Sequence, residues 1–237
     1  GTITDLDSEA GFDADLTMEH FLDFAEGFCF AQFNGPAKFG PMETNDVTAV
    51  TSTGYTVAAG GALAQYTLVF ARGFSTAANN GLKVVGASST ATEVKTSGLT
   101  AEAAPPDNAT LEVCGVQGTA GDIQVNAGGN LIATTLDFTT LGLTVGQVIW
   151  VGGSSAATQF ATAANTGFAR VTAIAAGVLT LDKKATTFAT DNGATKTIQL
   201  LFGKFLRNVS VDDADYIERS FQFEGAYPDL GGVGTDG

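Results

Sequence analysis

Chemistry needs side chains that can move a proton, attack a bond or hold a metal, and this sequence offers few. Its 237 residues contain one histidine, His20, and two cysteines, Cys29 and Cys114. A Ser-His-Asp or Cys-His site would have to use that one imidazole, and no Gly-x-Ser-x-Gly turn is present to expose a serine nucleophile. A histidine-rich metal centre is excluded by count. The cysteines are too far apart for a metal knuckle and too few for a disulfide scaffold, so two buried thiols are expected. Asp5-x-Asp7-x-Glu9 alternates like the start of a calcium loop. Ala10 stands at the sixth position, where the loop needs glycine, and Leu16 at the twelfth, where it needs glutamate. Counting from Asp13 fails in the same way, with Met18 and Phe24 at those positions.

Other patterns fail for similar reasons. Gly232-x-Gly234-x-x-Gly237 spells a dinucleotide-binding turn, but no helix follows to receive a pyrophosphate. Asp212 and Asp213 are of the type needed for paired acid–base work, although adjacent acids on a loop are ordinary solvated surface. Asn108-Ala-Thr110 and Asn208-Val-Ser210 are glycosylation sequons, which matter only in a secreted eukaryotic protein. The expectation is a protein that is not an enzyme, with no catalytic residues, no cofactor and no metal.

The charge is strongly negative and unevenly placed. Eleven Lys and Arg stand against 25 Asp and Glu, a formal net charge of −14. Such a chain does not grip nucleic acid through clustered cations. Residues 1–46 carry ten acids and one base, and residues 211–237 carry seven acids and one base, whereas the 164 residues between are close to neutral. This pattern reads as one acidic domain built from both ends, residues 1–46 with 204–237, interrupted by two inserted β units, 47–119 and 120–203. Such insertions are tolerated because loop-closure entropy grows slowly with length. Hydrophobic residues make up 44% and charged residues 15%, which argues against disorder over the whole chain. No apolar run reaches the roughly 18 residues of a membrane helix, so no membrane partner is expected. Gly1 opens the sequence without the basic segment of a signal peptide.

One segment reads as a helix. Thr17 can cap it and Glu19 suits its positive end. Met18, Phe21, Leu22, Ala25, Phe28 and Cys29 recur at spacings of three and four and form one apolar packing face, of which Met18, Phe21, Leu22 and Phe28 are the candidate contacts. Asn34-Gly35-Pro36 ends it. The later sequence, rich in Gly, Thr, Val and Ala, reads as short strands and turns. The strand candidates are Tyr66–Arg72, Leu82–Gly86, Thr110–Val116, Asp122–Asn126, Gln147–Val151, Phe168–Ile174, Val178–Asp182, Thr197–Phe202 and Tyr216–Glu224. Trp150 lies in an apolar run and is assigned to the core.

An internal repeat runs through the middle. Phe74-Ser-Thr-Ala-Ala-Asn79-Asn-Gly81-Leu-Lys-Val-Val85 matches Phe160-Ala-Thr-Ala-Ala-Asn165-Thr-Gly167-Phe-Ala-Arg-Val171 at an offset of 86 residues. The Asn-x-Gly element suits a positive-φ position leading into a strand. The expected fold class is therefore mainly β with one helix, and the middle is read as two related small β units, each long enough for a small sandwich or barrel core.

Four phrases carry a family resemblance: Gly11-Phe-Asp-Ala-Asp-Leu-Thr17 leading into the Phe-rich helix, Gly142-Leu-Thr-Val-Gly-Gln-Val-Ile-Trp-Val-Gly-Gly153, Gly167-Phe-Ala-Arg-Val-Thr172, and Arg219-Ser-Phe-Gln-Phe-Glu-Gly-Ala-Tyr-Pro228. Together they resemble tail tube proteins of long-tailed bacteriophages, in the branch with large β insertions. The resemblance implies a β-sandwich or barrel-like tube domain with one helix, interrupted by the two related small immunoglobulin-like β units, and hexameric rings that stack into a hollow tube conducting the phage genome. It implies a place in the virion tail after assembly in the host cytoplasm, and tail terminator, tape measure and baseplate proteins as partners beside the protein itself. Such proteins usually continue at both ends, so terminal segments are expected to be missing here. An acidic wall would keep DNA from sticking as it passes without specific binding, and Asp212, Asp213, Asp215 and Glu218 are the candidate lumen residues. The competing readings are a secreted or surface adhesin of tandem immunoglobulin-like modules, and a carbohydrate-active enzyme using two carboxylates.

Overall fold

The computed structural model describes residues 18–33, 35, 38–39, 46–212 and 216–217, with the side chains of the helix described from Phe21 onward. The chain divides into two compact units, residues 1–33 with 206–237, and residues 34–205. The expected strand Tyr216–Glu224 lies almost entirely outside the described residues, as do Asp5, Asp7 and Glu9.

In the first unit the apolar spacing produces helix α1, Met18–Cys29. Its end is closed by Phe30 in the left-handed region, at φ 51°. The Phe30 and Ala31 amides donate back to the carbonyls of Gly27 and Glu26, which satisfies the last turn. Beyond the cap, the Cys29 carbonyl accepts from the Val209 amide and the Phe30 carbonyl from the Ile217 amide. The Phe30 and Tyr216 rings stack with centroids 5.6 Å apart.

The second unit is all antiparallel sheet. Its strands are β1 (Lys38–Phe39), β2 (Val47–Val50), β3 (Gly54–Val57), β4 (Thr67–Arg72), β5 (Gly81–Val84), β6 (Glu93–Lys95) and β7 (Thr110–Gln117). They continue as β8 (Gln124–Val125), β9 (Leu131–Ile132), β10 (Val148–Val151), β11 (Gly167–Ala175), β12 (Val178–Asp182) and β13 (Gln199–Leu201). The larger sheet runs β5-β4-β7-β13-β10-β11-β12-β9-β8, nine strands along its path, with β1 added beside β7; the smaller is β2-β3-β6. The protein is thus mainly β with one helix among the described residues, and neither sheet closes into a barrel.

The strand order repeats. From β7 outward the first half reads β7-β4-β5 and then β6-β3-β2, and from β13 outward the second reads β13-β10-β11-β12-β9-β8. Registers match as well. Ala71 faces Gly81 as Val151 faces Gly167, Tyr55 faces Val94 as Leu131 faces Leu179, and the isolated bridge Val50–Glu102 has its counterpart in Val125–Asp191. The halves differ at one junction. The β11–β12 hairpin keeps six strands in one sheet, whereas β5 stops at Val84 and β6 joins the smaller sheet. The halves meet where β7 pairs with β13, Leu200 opposite Val116.

Each half has its own core. Tyr55, Val69, Val94 and Leu111 are fully buried in the first, and Ile123, Leu131, Phe138, Ile149, Leu179 and Ile198 in the second. The alternation of buried and half-exposed residues along β12 is the period-two signature of a sheet with one buried face.

The Thr-Ala-Ala-Asn repeat is the corner piece of both cores. Ala77–Asn79 and Ala163–Asn165 each form a single 3-10 turn. Asn79 and Asn165 are fully buried. The Asn79 Oδ1 accepts from the Thr100 amide at 2.9 Å, and the Asn165 Oδ1 from the Ala189 amide at 2.8 Å. Their Nδ2 groups donate to the Glu102 carboxylate and the Ala189 carbonyl. The turn's leading amide, Thr76 or Thr162, donates to Glu102 or Asp191. Buried polar groups are tolerated because each is paired. Burial works against charge on both carboxylates. It is outweighed at Glu102 by donors from Asn79, Ser75 and Thr76, and at Asp191 by donors from Gly193 and Thr162 and the nearby Lys196, so both sit below the usual carboxylate range.

Several expectations need correction. Trp150 is only half-buried, on the outer face of β10, because Ile149 and Val151 take the inner one. Cys29 and Cys114 are free but half-buried rather than fully buried. Asp122–Asn126 contributes only Gln124–Val125, and β1, β2, β3, β6 and β9 lie outside the expected strands.

Two outcomes test this account. Asn165→Ala strands the Ala189 amide and carbonyl and should lower stability by about 2–3 kcal/mol in urea unfolding, as should Asn79→Ala. Asp191 has a depressed folded pKa, so its stabilisation is complete above the ordinary aspartate value of about 4 and is lost as pH falls through the folded value. Asp191→Asn should therefore be less stable at neutral pH, with a flatter stability profile in acid.

Candidate assembly surfaces

The helix and the larger sheet each leave apolar surface uncovered. On α1, Phe21 is 47% and Phe28 84% exposed, while Leu22 is half-buried. Of the four residues assigned to the packing face, Met18 is helical but its side chain lies outside the described residues. Phe30, just past the helix, is a further exposed aromatic. Asp212 is exposed in a turn. Asp213, Asp215 and Glu218 lie outside the described residues, so Asp212 alone of the candidate lumen acids has a described position.

The sheet's outer face carries large apolar cross-strand pairs at matching places. Phe70 on β4 faces Leu82 on β5, and Trp150 on β10 faces Phe168 on β11. Phe70 is 46% and Phe168 56% exposed, and Val148 beside them is exposed too. The Trp150 and Phe168 rings meet edge to face at 4.7 Å, the geometry favoured by the ring quadrupoles. Next to them Arg170 donates to Asp182 across β11 and β12, from Nε to Oδ1 at 2.8 Å and from Nη2 to Oδ2. The pair raises the arginine's pKa and lowers the aspartate's, but it is solvent-exposed and acts mainly to hold both side chains in register. Sequence reasoning missed these outward aromatics. The available signal was the alternation of Phe168, Arg170 and Thr172 against Ala169 and Val171, which puts the phenylalanine on the face that carries the charge.

Chemistry is sparse among the described residues. No group of three or more His, Cys, Asp or Glu is placed to hold a metal ion. Burial, with the nearby Glu112 charge, pushes the Cys114 thiol up to about 11, the opposite of an activated nucleophile. Asp122 is buried under four donors: the amides of Thr134 and Thr135 and the Thr134 hydroxyl on Oδ1, and the Leu136 amide on Oδ2. Burial opposes its charge, and those bonds hold its pKa below the usual range, so it shapes a loop and is poorly suited to carry a proton. No described helix is long and apolar enough to cross a membrane. Asn108 and Asn208 of the two sequons are exposed. No protein-family model, curated protein or solved structure matches the chain.

If the outer aromatics serve contacts between molecules and not the fold, Phe168→Thr and Phe70→Thr should each change folding stability by less than about 1 kcal/mol in urea unfolding.

Proposed function

We propose that this chain is a tail tube protein of a long-tailed bacteriophage, a structural protein that multiplies into stacked, hexameric rings. The observation that carries the reading is the uncovered apolar face of α1, with Phe28 84% exposed on a helix that also bears Asp23 and Glu26. Fully burying one such side chain is worth about 1.5–3 kcal/mol, and six symmetry-related copies would repeat the gain around a ring. The occupant of that face is a neighbouring copy, whose sheet edges and outer aromatics offer complementary apolar surface.

The finer assignments follow. Residues 1–46 with 204–237 form the acidic tube domain, and 47–119 and 120–203 are two immunoglobulin-like insertions related by duplication. The duplication is supported by the matching strand order and the paired Asn79 and Asn165 corners. The acidic blocks line a conduit through which the genome slides without specific binding, since like charge keeps the polyanion from adhering. Tail terminator, tape measure and baseplate proteins meet the ends of the tube. A surface adhesin would string its modules end to end, whereas β7 and β13 join the two units side by side in one sheet, which favours the tube.

Electron microscopy of the concentrated protein should show rings or tubes about 100 Å across, the size that packed domains of this length require. Phe28→Asp should shift them to single subunits without loss of the β circular dichroism signal. A wild-type chain that stays monomeric at high concentration and in its native particle would refute the proposal. Reversing Asp212, Asp213 and Asp215 to Lys should slow genome delivery while rings still form.

A further inference from the structure

The two matching halves differ at a position where backbone physics favours glycine. Ahead of β10, Gly146 takes φ 97° and donates its amide to the Val171 carbonyl at 2.8 Å. Ahead of β4, the corresponding residue donates in the same way to the corresponding carbonyl, Val85, also at 2.8 Å, but that residue is Tyr66, at φ 71°. A side chain would find ordinary contact distances at Gly146, so it is the dihedral and not the space that favours glycine there. A bulky residue in this region is strained, and such strain persists where the surroundings over-determine it. Here the Tyr66 carbonyl is also held, by the Gln117 amide at 2.8 Å. The tyrosine therefore sits at a glycine position at a cost to the fold.

Tyr66 lines a cleft of about 280 Å³ between the start of β4 and the loops that lead into and follow β8 and β9, together with Gln65, Gln117, Thr119, Thr135 and Asp137. The far wall is preorganised, because the Asp122 carboxylate binds three successive amides of the 134–136 loop. Asp137 is committed to its own turn, accepting from the amide and hydroxyl of Thr139. The Gln117 side chain is fixed by Gln199, whose Nε2 donates to its Oε1 at 2.9 Å. The lining contains no lysine, arginine or histidine, so nothing there recommends an anion. A lining that combines a tyrosine with threonines and glutamines matches a neutral ligand dense in hydroxyl groups: an apolar sugar face can stack on an aromatic ring while its hydroxyls exchange hydrogen bonds with hydroxyl and carboxamide groups.

We propose that the Tyr66 cleft is a binding site for a neutral saccharide. The site shares no lining residue with the exposed apolar residues of the assembly surfaces and needs no second copy.

The test uses the full chain and saturation-transfer NMR with maltotriose, cellotriose, mannotriose and chitotriose at millimolar concentration. At least one of these should receive magnetisation from the wild type. Tyr66→Gly should weaken that binding by about tenfold or more, the loss of one stacking platform, while Tm stays level or rises because the strain is relieved. Thr135→Val, which keeps the loop amide on Asp122, should weaken binding without changing Tm. The proposal is overturned if no neutral trisaccharide binds, if Tyr66→Gly binds as well as the wild type, or if Tyr66→Gly lowers Tm, which would make the ring a packing residue.

Discussion

The larger sheet depends on how closely two strands can approach. Where β7 meets β13, a Cβ built on Gly115 would lie 2.0 Å from the Leu200 carbonyl oxygen, a distance no side chain tolerates. Glycine at this one place lets the backbones pair, with Leu201 opposite Gly115 and Leu200 opposite Val116. The pairing fuses two halves that each bury their own core into one continuous sheet. Without it each half would present an open edge, and open edges invite non-native pairing.

Around that joint the protein uses few charges inside and satisfies almost all of them. Asn79 and Asn165 stand in for strand partners at the corners, and Glu102, Asp122 and Asp191 are held chiefly by amide donors. Carboxylates bound in this way fix loops without the conformational entropy cost of ordering long basic side chains. Side-chain ion pairs such as Lys95–Glu93 and Arg170–Asp182 instead lie where both partners are partly exposed. The chain's large negative charge is concentrated towards the two ends of the sequence.

The two kinds of uncovered surface have different physical characters. The apolar helix face and outer sheet face are broad and made of residues that gain by leaving water, which suits contact with another macromolecule. The Tyr66 cleft is small, carries both polar and apolar lining and is backed by a pinned loop, which suits a small solute. The first kind bears on assembly and the second on recognition, and the residues that build one do not build the other.

Much of the order along the chain was legible in the sequence. The three-and-four spacing of apolar residues placed α1, and the runs at Tyr66–Arg72, Thr110–Val116 and Val178–Asp182 placed β4, β7 and β12, because period and β-branched content act locally. The Asn-x-Gly repeat marked both corners. The strands β2, β3 and β6 could not be read, since at three or four residues each they are too short to show a period and exist because distant partners complete their hydrogen bonds. Outward placement of Trp150 was equally hidden: the run VIWV is apolar at every position, and only the inward packing of Ile149 and Val151 decides which side the indole takes. Composition by itself determined that this protein is rich in short strands, strongly acidic at both ends and poor in reactive side chains. Tertiary structure alone decided that two halves share one sheet and that a tyrosine occupies a glycine's backbone at the rim of a cleft, because register and dihedral angles arise from contacts between residues far apart in sequence.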